Sequence, residues 1–163
     1  MAYDVIVRGG RVVLPDSGVQ EIDIAVQDGL IAAYLAPGSE VEAKETIDAS
    51  SKVVLPGVID PHTHLGLGDP ETDYLTETKA AALAGVTTVL NFLMSGDPYE
   101  TEYRVNRIRA DSQAYVDFGL HAVVSTREQI AEMDRAGNEG IPMEGRFGGK
   151  AVNLARLSSI LTG

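Results

Sequence analysis

Two histidines two positions apart carry the first chemical signal in this sequence. Asp60-Pro61-His62-Thr63-His64 closes an apolar run that begins at Val53, and the chain holds only three histidines, His62, His64 and His121. In an extended backbone, side chains at i and i+2 point to the same side. Both imidazoles then reach one ion, which makes His62 and His64 candidate metal ligands. The competing reading is a polar pair at a strand end, solvated or bonded to backbone. Position favours the metal, because the C-terminal ends of parallel strands are where α/β enzymes gather their reacting groups. Asp60 has two readings of equal standing. It orients an imidazole from behind, or it caps the turn at the strand end.

Composition narrows the chemistry and the partners. With no cysteine in the chain, disulfides, zinc–thiolate sites and cysteine nucleophiles are excluded. A metal must be held by His, carboxylates or a modified side chain. Acidic residues outnumber basic ones 24 to 13, for a net charge of −11. A surface this negative repels nucleic acid and anionic membranes, so neither is expected as a partner. No basic stretch followed by an apolar one opens the chain between Met1 and Gly10, and no apolar run reaches membrane-spanning length. The expectation is a soluble, cytoplasmic protein.

The elements that must position the histidines fall into two patterns. Up to about residue 52 the chain reads as short strands over Tyr3 to Val7, Arg11 to Leu14, Glu21 to Gln27 and Leu30 to Leu35. Turn signals separate them, the clearest being Asp28-Gly29, which suits a type I′ hairpin. From residue 53 the period changes. Val53 to Asp60 is a near-continuous apolar run, as expected of a strand buried on both faces, although Pro56 interrupts it. Asp73 to Ala84 predicts a helix with Leu75, Lys79, Ala82 and Leu83 at helical spacing and Gly85 closing it. Val86 to Phe92 predicts a second strand. Glu102 to Val116 predicts a helix with Val105, Ile108 and Tyr115 on one face. Leu120 to Val124 predicts a third strand. Thr126 and Gln129 form a capping box for a third helix. This β-α-β-α-β-α order gives a parallel sheet, and both a doubly wound sheet and a (β/α)8 barrel fit it.

The same residues carry a resemblance. Val54-Leu55-Pro56-Gly57-Val58-Ile59-Asp60-Pro61-His62-Thr63-His64-Leu65 resembles the first barrel strand of the amidohydrolase superfamily, and of its hydantoinases and dihydropyrimidinases above all. Tyr3 to Gly10 resembles the first strand of their β-sandwich subdomain, and Gly85-Val86-Thr87-Thr88-Val89 their second barrel strand. The resemblance runs from about residue 3 to residue 136. It implies an α/β fold: a β-sandwich piece over residues 1–52, then the first three βα units of a (β/α)8 TIM barrel over 53–136. It also implies a binuclear zinc centre, with His62 and His64 on the first metal and metal-activated hydroxide attacking a cyclic amide. The substrate would be a hydantoin, a dihydropyrimidine or a related ureide. Dihydroorotases typically carry an arginine two positions after the second histidine, where this chain has Gly66, so they fit less well. Complete relatives are expected to be homo-oligomers. The alternative is a non-catalytic scaffold resembling the dihydropyrimidinase-related assembly proteins, which have little need of the histidine pair.

The pattern departs from the family past residue 136. Residues 137–163 form an atypical tail, and a barrel needs about 250 residues, so a truncated and inactive enzyme is expected. Lys150 lies at about the family's distance for the lysine that bridges the two metals. Yet Met143, Glu144 and Gly145 follow Gly140-Ile141 where that lysine belongs. Phe147 to Leu157, with its Gly-Gly-Lys, resembles instead the start of a pyruvate phosphate dikinase nucleotide-binding domain. Asn91 and Ser95, at the end of the second strand, are read as polar loop residues before substrate contacts. His121, near the start of the third strand, is read as structural.

Overall fold

The computed structural model describes residues 2–94, 98–123 and 126–138. Lys150, Ser95 and the dikinase-like stretch from Phe147 to Leu157 lie outside the described residues. The chain divides into two compact units, Met1–Pro56 and Gly57–Gly163. Among the described residues no helix is long and apolar enough to cross a membrane.

The first unit is all strand. β1 (Tyr3–Arg8), β4 (Asp23–Gln27), β5 (Leu30–Leu35) and β6 (Ala43–Asp48) form one sheet in the order β5-β4-β1-β6. β2 (Arg11–Leu14), β3 (Gly18–Glu21) and β7 (Val53–Val54) form a second, in the order β3-β2-β7. Asp28 and Gly29 join β4 to β5 with φ of 52° and 75°. Positive φ at both central residues is the type I′ signature expected of that pair. Ile6 and Ala25 are fully buried. Asp23, 2% exposed, accepts hydrogen bonds from the Arg8 guanidinium and from the backbone N–H groups of Gly9 and Gly38. A carboxylate this deep is tolerable because each lone pair it turns inward meets a donor.

Two readings of the sequence change here. The single strand expected over Glu21 to Gln27 is two, β3 and β4, parted at Ile22. β6 carries no apolar period and was not expected. It is exposed along most of its length, and only its parallel pairing with β1 holds it extended.

The second unit alternates strand and helix: β8 (Val58–Thr63), α1 (Asp73–Leu83), β9 (Val86–Leu93), α2 (Tyr99–Gln113), β10 (Asp117–Ala122) and α3 (Arg127–Asn138). Its three strands are parallel, in the order β10-β9-β8. Val89, Leu93, Phe118 and Leu120 from the sheet pack with Tyr74, Tyr103 and Ala110 from the helices as its core. Gly85 follows α1 at φ 88°, the left-handed conformation anticipated for a helix-ending glycine. The capping box at α3 forms in both directions: the Gln129 N–H donates to Thr126 Oγ1 at 3.2 Å, and the Thr126 N–H to Gln129 Oε1 at 3.1 Å.

Three expectations are corrected. The run from Val53 to Asp60 is not one strand buried on both faces. It breaks at Pro56-Gly57: Val53–Val54 joins the first unit as β7, and β8 begins at Val58 on the edge of the second sheet. Val58 and Ile59 are 53% and 61% exposed there. Second, α1 turns inward Tyr74 and Thr78, while Leu75 and Leu83 face solvent. Third, α2 buries Tyr103, Asn106 and Ala110 and leaves Ile108 exposed, and it ends at Gln113, short of Tyr115, which is exposed as well. Both inward faces carry hydrogen-bonded polar side chains, Tyr74 donating to Asn106 Oδ1 and Thr78 to the Tyr74 carbonyl, which an apolar period does not register.

Candidate metal centre

The histidine pair sits where β8 runs out. β9 imposes a local irregularity on that end. Asp60 is in register with Val89 and Thr63 with Asn91, so three steps along β8 match two along β9. The extra residue falls at Pro61-His62, where proline has no N–H to give a ladder. The Asp60 carboxylate receives the His62 backbone N–H at 3.1 Å and so stabilises the bulge. Of the two roles open to Asp60, this contact is with backbone and not with an imidazole.

The two rings converge. His62 Nε2 and His64 Nε2 are 3.1 Å apart, with ring centroids at 4.9 Å and planes at 75°. Both side chains are exposed at the strand end. Two imidazoles bound to one zinc at the usual bond length and tetrahedral angle place their nitrogens about 3.3 Å apart. The donor set therefore fits shared ligation of one ion. Among the described residues no group of three or more His, Cys, Asp or Glu side chains gathers into a metal site. Beside the pair opens a cleft of about 490 Å³, lined by Asp60, Thr63 and His64 on one side and Asp73, Glu77 and Thr78 of α1 on the other.

Two aromatic neighbours hold the face of the site. Phe92 on β9 stacks on His62, centroids 4.2 Å apart and planes 20° from parallel. Phe92 also meets His121 of β10 at 4.9 Å, in register across the two strands. This corrects the placement of His121. β10 starts at Asp117, so His121 is its penultimate residue and lies toward the same end of the sheet as the histidine pair. Asp117 and Gly119 resemble turn residues, which moved the expected start of the strand too late. Burial is the first cause and the nearby charge of His62 the second that hold the His121 imidazole below the usual histidine range.

The loop after His64 is fastened from two sides. Asn91, fully buried in β9, receives the Leu65 N–H on its Oδ1 at 2.6 Å and donates from Nδ2 to the Leu65 carbonyl at 3.1 Å. Asp73, the first residue of α1, accepts the backbone N–H groups of Gly66, Gly68 and Asp69. Gly66 takes φ 88°, a conformation costly for any residue with a Cβ. Asn91 is thus a strand residue with a structural task at the site, not a loop residue. A polar side chain inside the apolar run Val89-Leu90-Asn91-Phe92-Leu93 was the available signal.

No protein-family profile matches the chain. Individual proteins do. Over 145 residues the chain is 37% identical to the L-hydantoinase of Paenarthrobacter aurescens, covering 85% of this chain and 31% of that protein. It is 35% identical over 130 residues to the dihydropyrimidinase of Rattus norvegicus, covering 74% and 25%. The solved L-hydantoinase (dihydropyrimidinase) from Arthrobacter aurescens superposes with a TM-score of 0.73 at 32% identity, over 84% of this chain and 31% of that one. These likenesses support a place in the amidohydrolase family, over its N-terminal part. The homologues are hydantoinases and dihydropyrimidinases, hydrolases of cyclic amides, and the chain spans between a quarter and a third of their length.

Proposed function

We propose that this chain provides the first metal-binding strand of a zinc-dependent cyclic amidohydrolase acting on a hydantoin, a dihydropyrimidine or a related ureide. The observation that carries the reading is the convergence of His62 and His64, with Nε2 atoms 3.1 Å apart at the open end of β8. The parallel order β10-β9-β8 suits the first three βα units of a (β/α)8 barrel, and the two sheets of the first unit suit a β-sandwich subdomain. His62 and His64 would hold the metal through Nε2. The chemistry such a metal supplies when bound is Lewis-acid activation of water and of a ring carbonyl near neutral pH. The chain's own residues set the geometry. Phe92 fixes the plane of the His62 ring, the Asp60 carboxylate holds the bulge that turns it outward, and the cleft toward α1 leaves room beside His64. Gly66 supports the substrate class. Its left-handed backbone disfavours the arginine by which dihydroorotases hold a substrate carboxylate.

Two imidazoles leave the other coordination positions to water, whereas stable zinc sites use three or four protein ligands. The chain alone is therefore expected to bind zinc weakly and to show no measurable turnover of hydantoin or dihydrouracil. Calorimetric titration of the wild-type chain and of the double variant His62→Ala/His64→Ala with zinc tests the assignment. Zinc binding is expected in the first and not in the second. Equal binding by both sinks it.

A further inference from the structure

We propose that Asn91 is a positioning residue for His64, oriented by a buried relay of side chains that runs through Tyr74 and Asn106 to Glu102. The proposal rests on the reading of His62 and His64 as metal ligands for its consequence, though not for its geometry.

His64 is exposed, but the residues on both sides of it are tied to β9. Leu65, which follows it, has both its N–H and its carbonyl on the Asn91 amide. Thr63, which precedes it, donates from Oγ1 to the Leu90 carbonyl at 3.2 Å and lies 3.5 Å from Asn91 Oδ1. The Leu65 side chain packs against the core as well. The imidazole of His64 therefore hangs from a backbone held on either side.

The grip has a direction. Only one orientation of the Asn91 amide puts its oxygen against the Leu65 N–H and its NH2 against the Leu65 carbonyl. The second Nδ2 hydrogen goes to the Tyr74 hydroxyl at 2.9 Å, which uses up both donors. The Tyr74 hydroxyl in turn donates a hydrogen bond to Asn106 Oδ1 at 3.0 Å. Asn106 donates both Nδ2 hydrogens to Glu102, to the backbone carbonyl at 3.0 Å and to Oε1 at 2.7 Å. Two acceptors at Glu102 fix the Asn106 amide. That amide presents an acceptor to Tyr74, and the phenol, its proton committed, presents a lone pair to Asn91. Asn91, Tyr74 and Asn106 are all nearly or fully buried, so no solvent competes and an unmet partner would be costly. The relay ties α2 and α1 to the one loop that carries a candidate ligand. Partners hydrogen-bonded directly to a metal ligand typically change metal affinity 10- to 100-fold; Asn91 reaches His64 through the adjoining Leu65 backbone, so the lower end of that range is expected.

The test uses Asn91→Leu, of similar bulk but with neither the acceptor nor the donors that hold Leu65, and Tyr74→Phe, which keeps the fork on Leu65 and removes what orients it. Three readouts are taken on the whole chain. They are exchange of the Leu65 amide, the nuclear Overhauser contact between the His62 and His64 rings without metal, and zinc affinity. Asn91→Leu is expected to speed Leu65 exchange more than 10-fold, to weaken the ring contact and to lower zinc affinity about 10-fold. Tyr74→Phe is expected to do the same to a smaller extent, with the circular dichroism of both variants unchanged. If the wild-type chain binds no zinc, the metal reading fails and the two metal-free readouts still decide the clamp. Unchanged Leu65 exchange and ring contact in both variants would overturn the proposal. So would zinc affinity equal to wild type in a wild type that does bind zinc.

Discussion

The ring of Phe92 lies face to face with that of His62, 4.2 Å between centroids, on the neighbouring strand. Stacking of this kind restricts an exposed imidazole. It also gives His62 a signature free of metal, because its ring protons sit in the shielding cone of Phe92. Phe92→Leu should keep a side chain of similar bulk and remove the stack. We expect the upfield shifts of the His62 ring protons to disappear in this variant and zinc affinity to fall severalfold. Unaltered His62 shifts would mean the stack does not persist in solution.

Gly66 offers a backbone test. At φ 88°, a Cβ costs about 1–2 kcal/mol in this region. There is room for it, since an added Cβ would meet only Asn106 Oδ1, at 3.5 Å. Gly66→Ala should therefore lower stability to chemical denaturation by about that amount, through strain and not collision. Gly57 differs. A Cβ there would run into the Thr87 side chain, so Gly57→Ala should cost more than Gly66→Ala, and the added Thr87→Ser change should recover part of the loss.

The candidate histidine pair and two of the fold's turns and caps were legible in the sequence because their signals are local. The i, i+2 spacing of His62 and His64, the Asp28-Gly29 turn and the Thr126–Gln129 capping box each declare themselves within four residues. What supports the site was not legible, because its partners are far apart and polar. Asn91 reaches Leu65 26 positions back, and Tyr74 reaches Asn106 32 positions on. A hydrophobic period along α1 and α2 selected Leu75 and Ile108, whereas Tyr74 and Asn106 are the residues that turn inward. The bulge between Asp60 and Thr63 follows from pairing with β9 and is invisible in β8 alone.

Tyr74 predicts a pH dependence. Burial pushes its phenol from the ordinary 10.0 up to about 12, against the opposing hydrogen bond from Asn91. A pKa raised in the folded state contributes stability that is whole below the unfolded value and is lost as pH climbs to the folded one. The window is therefore pH 10 to 12, with a slope of up to about 1.4 kcal/mol per pH unit. Tyr74→Phe should be less stable than wild type at neutral pH, because it strands the Asn91 and Asn106 amides. The difference between the two should narrow through that window. Denaturant titrations of both proteins at several alkaline pH values check this, and a constant difference would show that the phenol is not held protonated.

In the first unit the corresponding test is Asp23. Its carboxylate, 2% exposed, gathers the Arg8 guanidinium at 3.3 Å and the N–H groups of Gly9 at 3.1 Å and Gly38 at 3.3 Å. The ion pair by itself is a weak argument for stability, since burying both charges costs about as much as their attraction returns. Removing one partner is different, because Arg8 and two backbone amides lose the carboxylate that gathers them. Arg8 keeps part of its satisfaction through the Ser39 and Val41 carbonyls, but the amides of Gly9 and Gly38 lose theirs. Asp23→Ala should then cost about 3 kcal/mol, seen as faster exchange of the amides paired between β1 and β4. Asp23→Asn keeps one acceptor and turns an NH2 toward Arg8, so it should fall between wild type and Asp23→Ala. A double variant Arg8→Met/Asp23→Leu, which removes both charges and fills the volume, should recover part of what Asp23→Ala loses. If it is as unstable as Asp23→Ala, the two glycine amides, not the ion pair, account for the role of Asp23.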